Sequence, residues 1–320
     1  MKEILVNQIE GIKIGNAQNL NGPTGCTVVI CEEGAVAGVD VRGGSPGTRE
    51  TDLLDPVNLV DKIHAVVLSG GSAFGLDAAS GAMQYLEEKD IGFDVAVTKV
   101  PIVCSAVLFD LAIGDYKIRP DKNMGYEACV NAELNQCIEG NVGAGTGATV
   151  GKILGPEYSM KGGLGCYAIQ VGELKVGAVI AVNCLGDVID SATGKTIAGA
   201  LDKDKKSFAS TEKIMIDNYS EKKNLFSGNT TIGVVITNGK FSKSEMKKIA
   251  SMAHNGYGRT MRPAHSIFDG DTIFTMSTGK IYADINVVGL LAVKVIEQAV
   301  VRAVQNAEGI FGYKAYKDMI

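Results

Sequence analysis

Glycine narrows the possible folds more than any other feature of this chain. There are 40 glycines in 320 residues, with no collagen-like period and no single linker to hold them. They recur in short groups beside apolar runs: Gly70-Gly71, Gly143 to Gly151, Gly162-Gly163 and Gly165. Glycine is needed where backbones approach closely or where φ is positive. The pattern predicts tight strand-to-helix turns gathered around a pocket. Apolar residues at 46% and charged residues at 21% suit a soluble globular protein. A length of 320 residues suffices for one domain with a sizeable core. The net charge of -5, with no block of Lys/Arg, argues against a nucleic-acid partner.

Seven cysteines lie at 26, 31, 104, 129, 137, 166 and 184, without a CxxC pair. Most sit inside apolar runs such as "GCTVVIC", so they read as buried free thiols of a reducing, cytoplasmic compartment. The first residues lack an apolar signal core. The most apolar long segment, Ile285 to Ala307, carries Lys294, Glu297 and Arg302 and reads as a core helix, with no membrane partner expected.

The apolar pattern alternates between strands and helices. "GCTVVIC" and "GAVAGVDVR" read as a strand pair turning at Glu32-Glu33-Gly34. "KIHAVVLSGG" is a buried strand, followed by helical spacing over Ala73 to Glu88. A second helix is expected over Tyr126 to Ile138. "GGLGCYAIQV" and "KVGAVIAVNCLG" read as two strands turning at Gly172-Glu173. Asp202 to Asn229 is charged and aperiodic, and is expected to be an exposed loop. A strand over Thr231 to Thr237 follows, then a helix over Ser242 to His254 with Ser242 and Glu245 forming a capping box. "DGDTIFTMST" is a further strand. Clustered strands covered by helices predict a layered α/β fold.

The glycine run "VGAGTGATVGK" at 142–152 resembles nucleotide-binding fingerprints but breaks both. Residue 148 is alanine where GxGxxG needs glycine, and 153 is isoleucine where a P-loop needs Ser or Thr. It is read as a close-packed turn presenting Lys152.

Chemistry concentrates at Leu225 to Asn238, "LFSGNTTIGVVITN". A threonine hydroxyl is a weak nucleophile without a base. The three histidines, His64, His254 and His265, offer no strong Ser-His-Asp arrangement, and no GxSxG elbow exists. Cutting the bond Asn229–Thr230 would make Thr230 an amino terminus. An α-amine has a pKa of about 7.7–8.0, so one residue would then supply both nucleophile and base. Gly228 would ease the turn that an attack by Thr230 Oγ on the Asn229 carbonyl requires. An ordinary turn into an edge strand is the alternative reading of "GNTT". Asp269 and Asp271, spaced i, i+2, would share one face of a strand and repel unless a cation lies between them. A solvated "DGD" turn is the alternative there.

Six blocks taken together carry a family resemblance: "GGSAFGLDAASG", "VPIV…LFDL", "NVGAGTGATVGK", "VGAVIAVNCLGDV", "GNTTIGVV" and "RPAHSIFDGDTIFTMSTG". In this order they resemble the P1 family of self-processing amidohydrolases, which includes L-aminopeptidase/D-amidase/D-esterases, β-aminopeptidases and endo-type 6-aminohexanoate-oligomer hydrolases. The resemblance spans nearly the whole chain. It implies a single domain with a four-layer αββα sandwich, like N-terminal-nucleophile hydrolases but with different connectivity. It also implies cleavage into an α chain, 1–229, and a β chain, 230–320, that stay together, usually in a homotetramer. By the same resemblance Thr230 is the nucleophile, Asn229 the residue before the cut, and Asn183 the oxyanion donor. Asp269 and Asp271 are the acidic pair, and Lys152 a pocket lysine. A threonine nucleophile and an Asp/Asp pair are closer to the oligomer-hydrolase branch. A tyrosine of several members falls at Phe109, which with Gly145 and Thr146 is a weaker substrate-binding candidate. The expected partner is a small peptide or amide substrate, with no cofactor or metal. The rival readings are an acyltransferase of the ornithine-acetyltransferase type and an uncut small-molecule-binding protein.

Overall fold

The computed structural model describes residues 1–220 and 228–320. Among these residues ten strands form one continuous sheet. They are β1 (Lys2–Ile4), β2 (Lys13–Asn19), β3 (Thr24–Val41), β4 (Thr48–Arg49), β5 (Lys62–Ser69), β6 (Val103–Val107), β7 (Gly163–Val171), β8 (Leu174–Asn183), β9 (Thr230–Gly239) and β10 (Thr272–Ile281). The helices are α1 (Ala78–Glu88), α2 (Lys122–Asn131), α3 (Thr211–Asp217), α4 (Lys243–Thr260) and α5 (Ile285–Gln305). The strand order is β1-β7-β8-β9-β10-β3-β5-β6-β4, with β2 paired to β3. β9 with β10 and β5 with β6 are parallel, each pair being joined through a helix as parallel pairing requires.

One strand organises the whole. β3 is 18 residues long, against a usual strand of about 5–6. Val36–Val41 pair with β10, while Thr24–Ile30 pair with β2 and Cys26–Ile30 with β5. The reversal expected at Glu32-Glu33-Gly34 therefore does not occur. Ile30 pairs with Ala65 and Ala35 with Ile63, so residues 31–34 bulge opposite His64 alone. Gly34 takes φ +75° there, and the strand bends without turning back. The acidic pair and glycine mimic a turn, but the partner strand continues past both sides.

The bend folds the sheet over on itself, and strand alternation sorts the side chains into layers. Val29, Leu68, Val179, Ile232, Val234 and Phe274 meet in a central core between the two halves. Ile180, Val182 and Val235 point the other way, toward Met246 and Ile249 of α4 and Ile296 of α5. Val28 and Val67 point out on the opposite side, toward Ala79, Ala82 and Leu86 of α1 and Cys129 of α2. The result is helices, sheet, sheet, helices, the expected αββα arrangement. α5 is a core helix, and among the described residues no helix is long and apolar enough to cross a membrane.

The helix boundaries have local causes. Ser242 and Glu245 form the expected capping box of α4. The helix then runs past His254 to Thr260 because Gly256 lets α5 approach: a Cβ there would lie 2.6 Å from Ile296 Cγ2. α2 starts earlier than the apolar spacing predicts, since Asp121 caps the Met124 amide, and a tighter turn, Ala132–Leu134, ends it. The segment from Asp202 is not uniformly an exposed loop. Ser210 caps α3, and the Thr211 amide and hydroxyl both donate to buried Asp187. Gly228 and Asn229 are buried; the part of the expected loop at 221–227 lies outside the described residues.

Gly38 of β3 lies under α4, where a Cβ would sit 2.3 Å from the Lys247 amide nitrogen and 2.5 Å from the Met246 carbonyl carbon. Gly38→Ala must push the helix away. We expect it to cost about 1–3 kcal/mol, read as a lowered urea midpoint at unchanged m-value.

Candidate active site

The site forms where β8 ends and β9 and β10 begin. Asn183 pairs with Thr230 in the β8–β9 ladder, and Asn229 bridges to Asp269 on the other side. Sequence-distant residues are thus brought to one buried mouth.

The Thr230 hydroxyl is buried and donates to the carbonyl oxygen of Asn229, the residue before it. The Gly270 amide donates to that same carbonyl oxygen at 3.0 Å and to Thr230 Oγ1 at 3.1 Å. Position 270 admits no side chain, because a Cβ would stand 2.6 Å from Thr230 Oγ1. Gly228 takes φ +56°, and a Cβ there would meet the Phe109 ring at 2.1 Å. Both glycines of this corner are fixed by geometry.

The Gly228 carbonyl is held from the opposite side. Lys152 Nζ donates to it at 3.1 Å, and to the carbonyl and Oδ1 of Asn183 at 3.0 and 2.8 Å. Asn183 Nδ2 donates to the Phe109 carbonyl at 3.1 Å and more weakly to Gly228 at 3.4 Å. Its Oδ1 also accepts from the Thr149 amide. Asn183 therefore faces the carbonyl one residue ahead of Asn229; the described donors on the Asn229 oxygen are Gly270 N–H and the Thr230 hydroxyl. Gly151, at φ +71°, turns Lys152 into the site from the end of the glycine run. Burial pushes the Lys152 ammonium down to about 7, against the pull of Cys184, Asp269 and Asp110.

The two acids precede β10 instead of lying within it, so the strand alternation expected of them does not place them. Loop bonds do. Asp271 Oδ1 accepts from the Thr231 amide at 2.8 Å, and its Oδ2 from the amide and Nδ1 of His265 at 3.0 and 2.9 Å. Asp269 accepts from the Leu185 amide and from the amide and hydroxyl of Ser266. Burial, and then the charge of Asp271, push the Asp269 carboxyl up to about 6.

Beside Thr230 is a cavity of about 130 Å³, lined among others by Ser45, Ser72, Phe109, Gly228 and Phe268. A second cavity, about 220 Å³, shares Phe109 and reaches Lys152 and Tyr313. Phe109 thus stands between the two. Gly145 and Thr146 line neither. A Cβ on Gly145 would strike the Leu164 amide at 2.1 Å, and the buried Thr146 hydroxyl is bonded to the Gly143 carbonyl. They build the turn and do not reach the mouth. Sequence reasoning missed four contributors: the Gly270 amide, Ser266, His265 and Lys161. Buried Lys161 donates to the Gly145, Ala148 and Gly162 carbonyls and so holds the glycine run in shape. The HSxxDGD spacing around the acids was the available signal for the middle two. Among the described residues no three His, Cys, Asp or Glu side chains converge as a metal-holding group.

Known proteins resemble this chain in sequence and in fold. Residues 5–317 match peptidase family S58. The chain is 39% identical, over a 347-residue alignment, to an uncharacterized aminopeptidase of Mycobacterium leprae, covering 98% of this chain and 93% of that protein. It is 30% identical over 289 residues to a 6-aminohexanoate-oligomer endohydrolase of Agromyces sp., covering 88% and 76%. The solved L-aminopeptidase D-Ala-esterase/amidase of Ochrobactrum anthropi, described as a variant of the Ntn hydrolase fold, superposes with a TM-score of 0.72 at 18% identity. It covers 97% of this chain and 89% of its own; at that identity the likeness concerns the fold. The molecule is an amide-bond hydrolase built on an N-terminal-nucleophile type of fold. The chain belongs to peptidase family S58.

Lys152 carries a testable electrostatic signature. Burial depresses its folded-state pKa to about 7 from the ordinary lysine value of 10.5, so the unfolded chain binds more protons between those limits. Stability contributed by neutral Lys152 is present above about pH 10 and is lost as pH falls toward 7. Lys152→Met removes part of this rise, up to about 1.4 kcal/mol per pH unit. Denaturant titrations from pH 7 to pH 10 measure it.

Proposed function

We propose that this hydrolase cuts its own Asn229–Thr230 bond and then hydrolyses small peptide or amide substrates through an acyl-Thr230 intermediate. One observation carries the reading: the Thr230 hydroxyl rests on the Asn229 carbonyl, whose oxygen also accepts the Gly270 amide at 3.0 Å. In the first step Thr230 Oγ bonds to the Asn229 carbonyl carbon. Gly270 N–H stabilises the oxygen as it becomes an anion. The C–N bond then breaks, and the hydroxyl proton ends on the Thr230 nitrogen. Water opens the resulting ester, leaving a carboxylate on Asn229 and a free hydroxyl and α-amine on Thr230.

The cut changes what the opposite wall can do. Lys152 Nζ and Asn183 Nδ2 both donate to the Gly228 carbonyl. Once the old chain end withdraws, these donors are available for a substrate carbonyl, with the Thr230 amine as base. Asp271 holds the start of β9 through the Thr231 amide, Asp269 holds Leu185 just past β8, and the pair places negative charge beside the new amine. The cytoplasm is the proposed compartment, supported by seven unpaired cysteines, six of them buried. A homotetramer is proposed on the resemblance to self-processing relatives.

Denaturing mass spectrometry of purified protein tests the central step. Fragments of 229 and 91 residues are expected, the second beginning at Thr230, while Thr230→Ala stays whole and inactive. Splitting of that variant at the same bond would sink the proposal. Asn183→Ala separates the two steps. Turnover of a small amide should fall about 10²–10³-fold, while self-cutting, which relies on Gly270 N–H, proceeds at a rate much nearer that of the parent chain.

A further inference from the structure

His265 stands behind the acidic pair and has no part in the steps above. Its backbone is held at φ +58°, a region few side chains occupy, though His, Asn and Asp tolerate it best. Two of its donors, the main-chain amide and Nδ1–H, converge on the same oxygen of Asp271, at 3.0 and 2.9 Å. The other oxygen of Asp271 accepts the Thr231 amide, one residue from the nucleophile candidate. Ser266, the next residue, clamps Asp269 in the same way, with its amide and its hydroxyl. Two consecutive residues thus each apply a backbone donor and a side-chain donor to one acid.

The far side of the imidazole shows that fold stability alone does not explain it. A carboxylate only accepts, so neutral His265 must carry its proton on Nδ1, which leaves Nε2 as a bare acceptor. Among the described residues Nε2 is buried without a partner, as are His254 Nδ1 and Tyr257 Oη. The three rings pack together, with His254 centred 4.8 Å and Tyr257 6.2 Å from His265. Unsatisfied buried polar atoms and a left-handed side-chain-bearing residue are both costly. They coincide here on the residue that fixes Asp271.

We propose that His265 is a positioning residue for the Thr230 chemistry: its two donors lock one Asp271 oxygen so that the other keeps the start of β9, and with it Thr230, in attacking position. This rests on the Thr230 reading above. It assigns His265 no contact with substrate and no proton transfer.

The test compares His265→Asn, His265→Gln and His265→Ala. Asparagine tolerates the left-handed backbone and puts an N–H near the place of Nδ1; glutamine carries its amide further out. After mass spectrometry has established processing, kcat and KM are measured on a small p-nitroanilide. Asn should keep kcat within about threefold of the parent, whereas Gln and Ala lower it about 10- to 100-fold at nearly constant KM. Where a variant remains uncut, the self-cutting rate is read instead, with the same order expected. Gln matching Asn, Ala matching the parent, or a change confined to KM would each overturn the assignment. A parent chain that never splits defeats the Thr230 reading itself, and splitting of the parent with three indistinguishable variants defeats only the role of His265.

Discussion

The alignment of three strand ends is the constraint from which the site follows. Asn183 lies opposite Thr230, and Asn229 opposite Asp269. A slip of one residue would turn the Thr230 hydroxyl to the other face. The register is enforced far from the mouth. Ile232, Val234 and Ile236 enter the core between the sheets, while Val235 faces the helices. Moving the strand by one position would expose one set to the wrong layer, at roughly 0.8 kcal/mol per displaced methylene group. Ordinary apolar packing therefore holds the reactive corner in place.

The corner carries an unusual density of buried charge. Lys152, Lys161, Asp110, Asp269 and Asp271 are all buried, and the amine donors of the two lysines go to carbonyl and amide oxygens. Isolated buried ions are expensive and shift toward neutrality. Burial accordingly brings both lysines down to about 7 and Asp110 up to about 6, as it does Asp269. For Asp269 the stability its carboxyl contributes is fully present below the ordinary aspartate value of 3.8 and is lost as pH rises through about 6. At neutral pH the fold bears that burden, while the same groups sit where small changes of surroundings move a proton.

Much of this was legible in the residues. The apolar alternation gave β5, β7, β8, β9 and the layered class, and Ser242 with Glu245 marked the start of α4. The six blocks pointed to Thr230, Asn183, Lys152 and both acids, which the fold does bring together. Other features depended on partners that a linear reading cannot see. Glu32-Glu33-Gly34 looks like a turn until β5 is found running past it. Asp269 and Asp271 look like strand positions until loop donors are found holding them. The Gly270 amide is a backbone group that a reading of side chains passes over, and the contacts of Gly145 with the strand at Leu164 and of Thr146 with the Gly143 carbonyl emerge only once the chain is folded.

The order β8-β9-β10-β3 has one more consequence. A break before Thr230 would assign β9 and β10 to the shorter piece and both outer neighbours, β8 and β3, to the longer one. The shorter piece would be dovetailed into the middle of the other's sheet, with a full ladder along either side. Severing the backbone would free a terminus without freeing a subunit, and the two polypeptides would continue to unfold as one body.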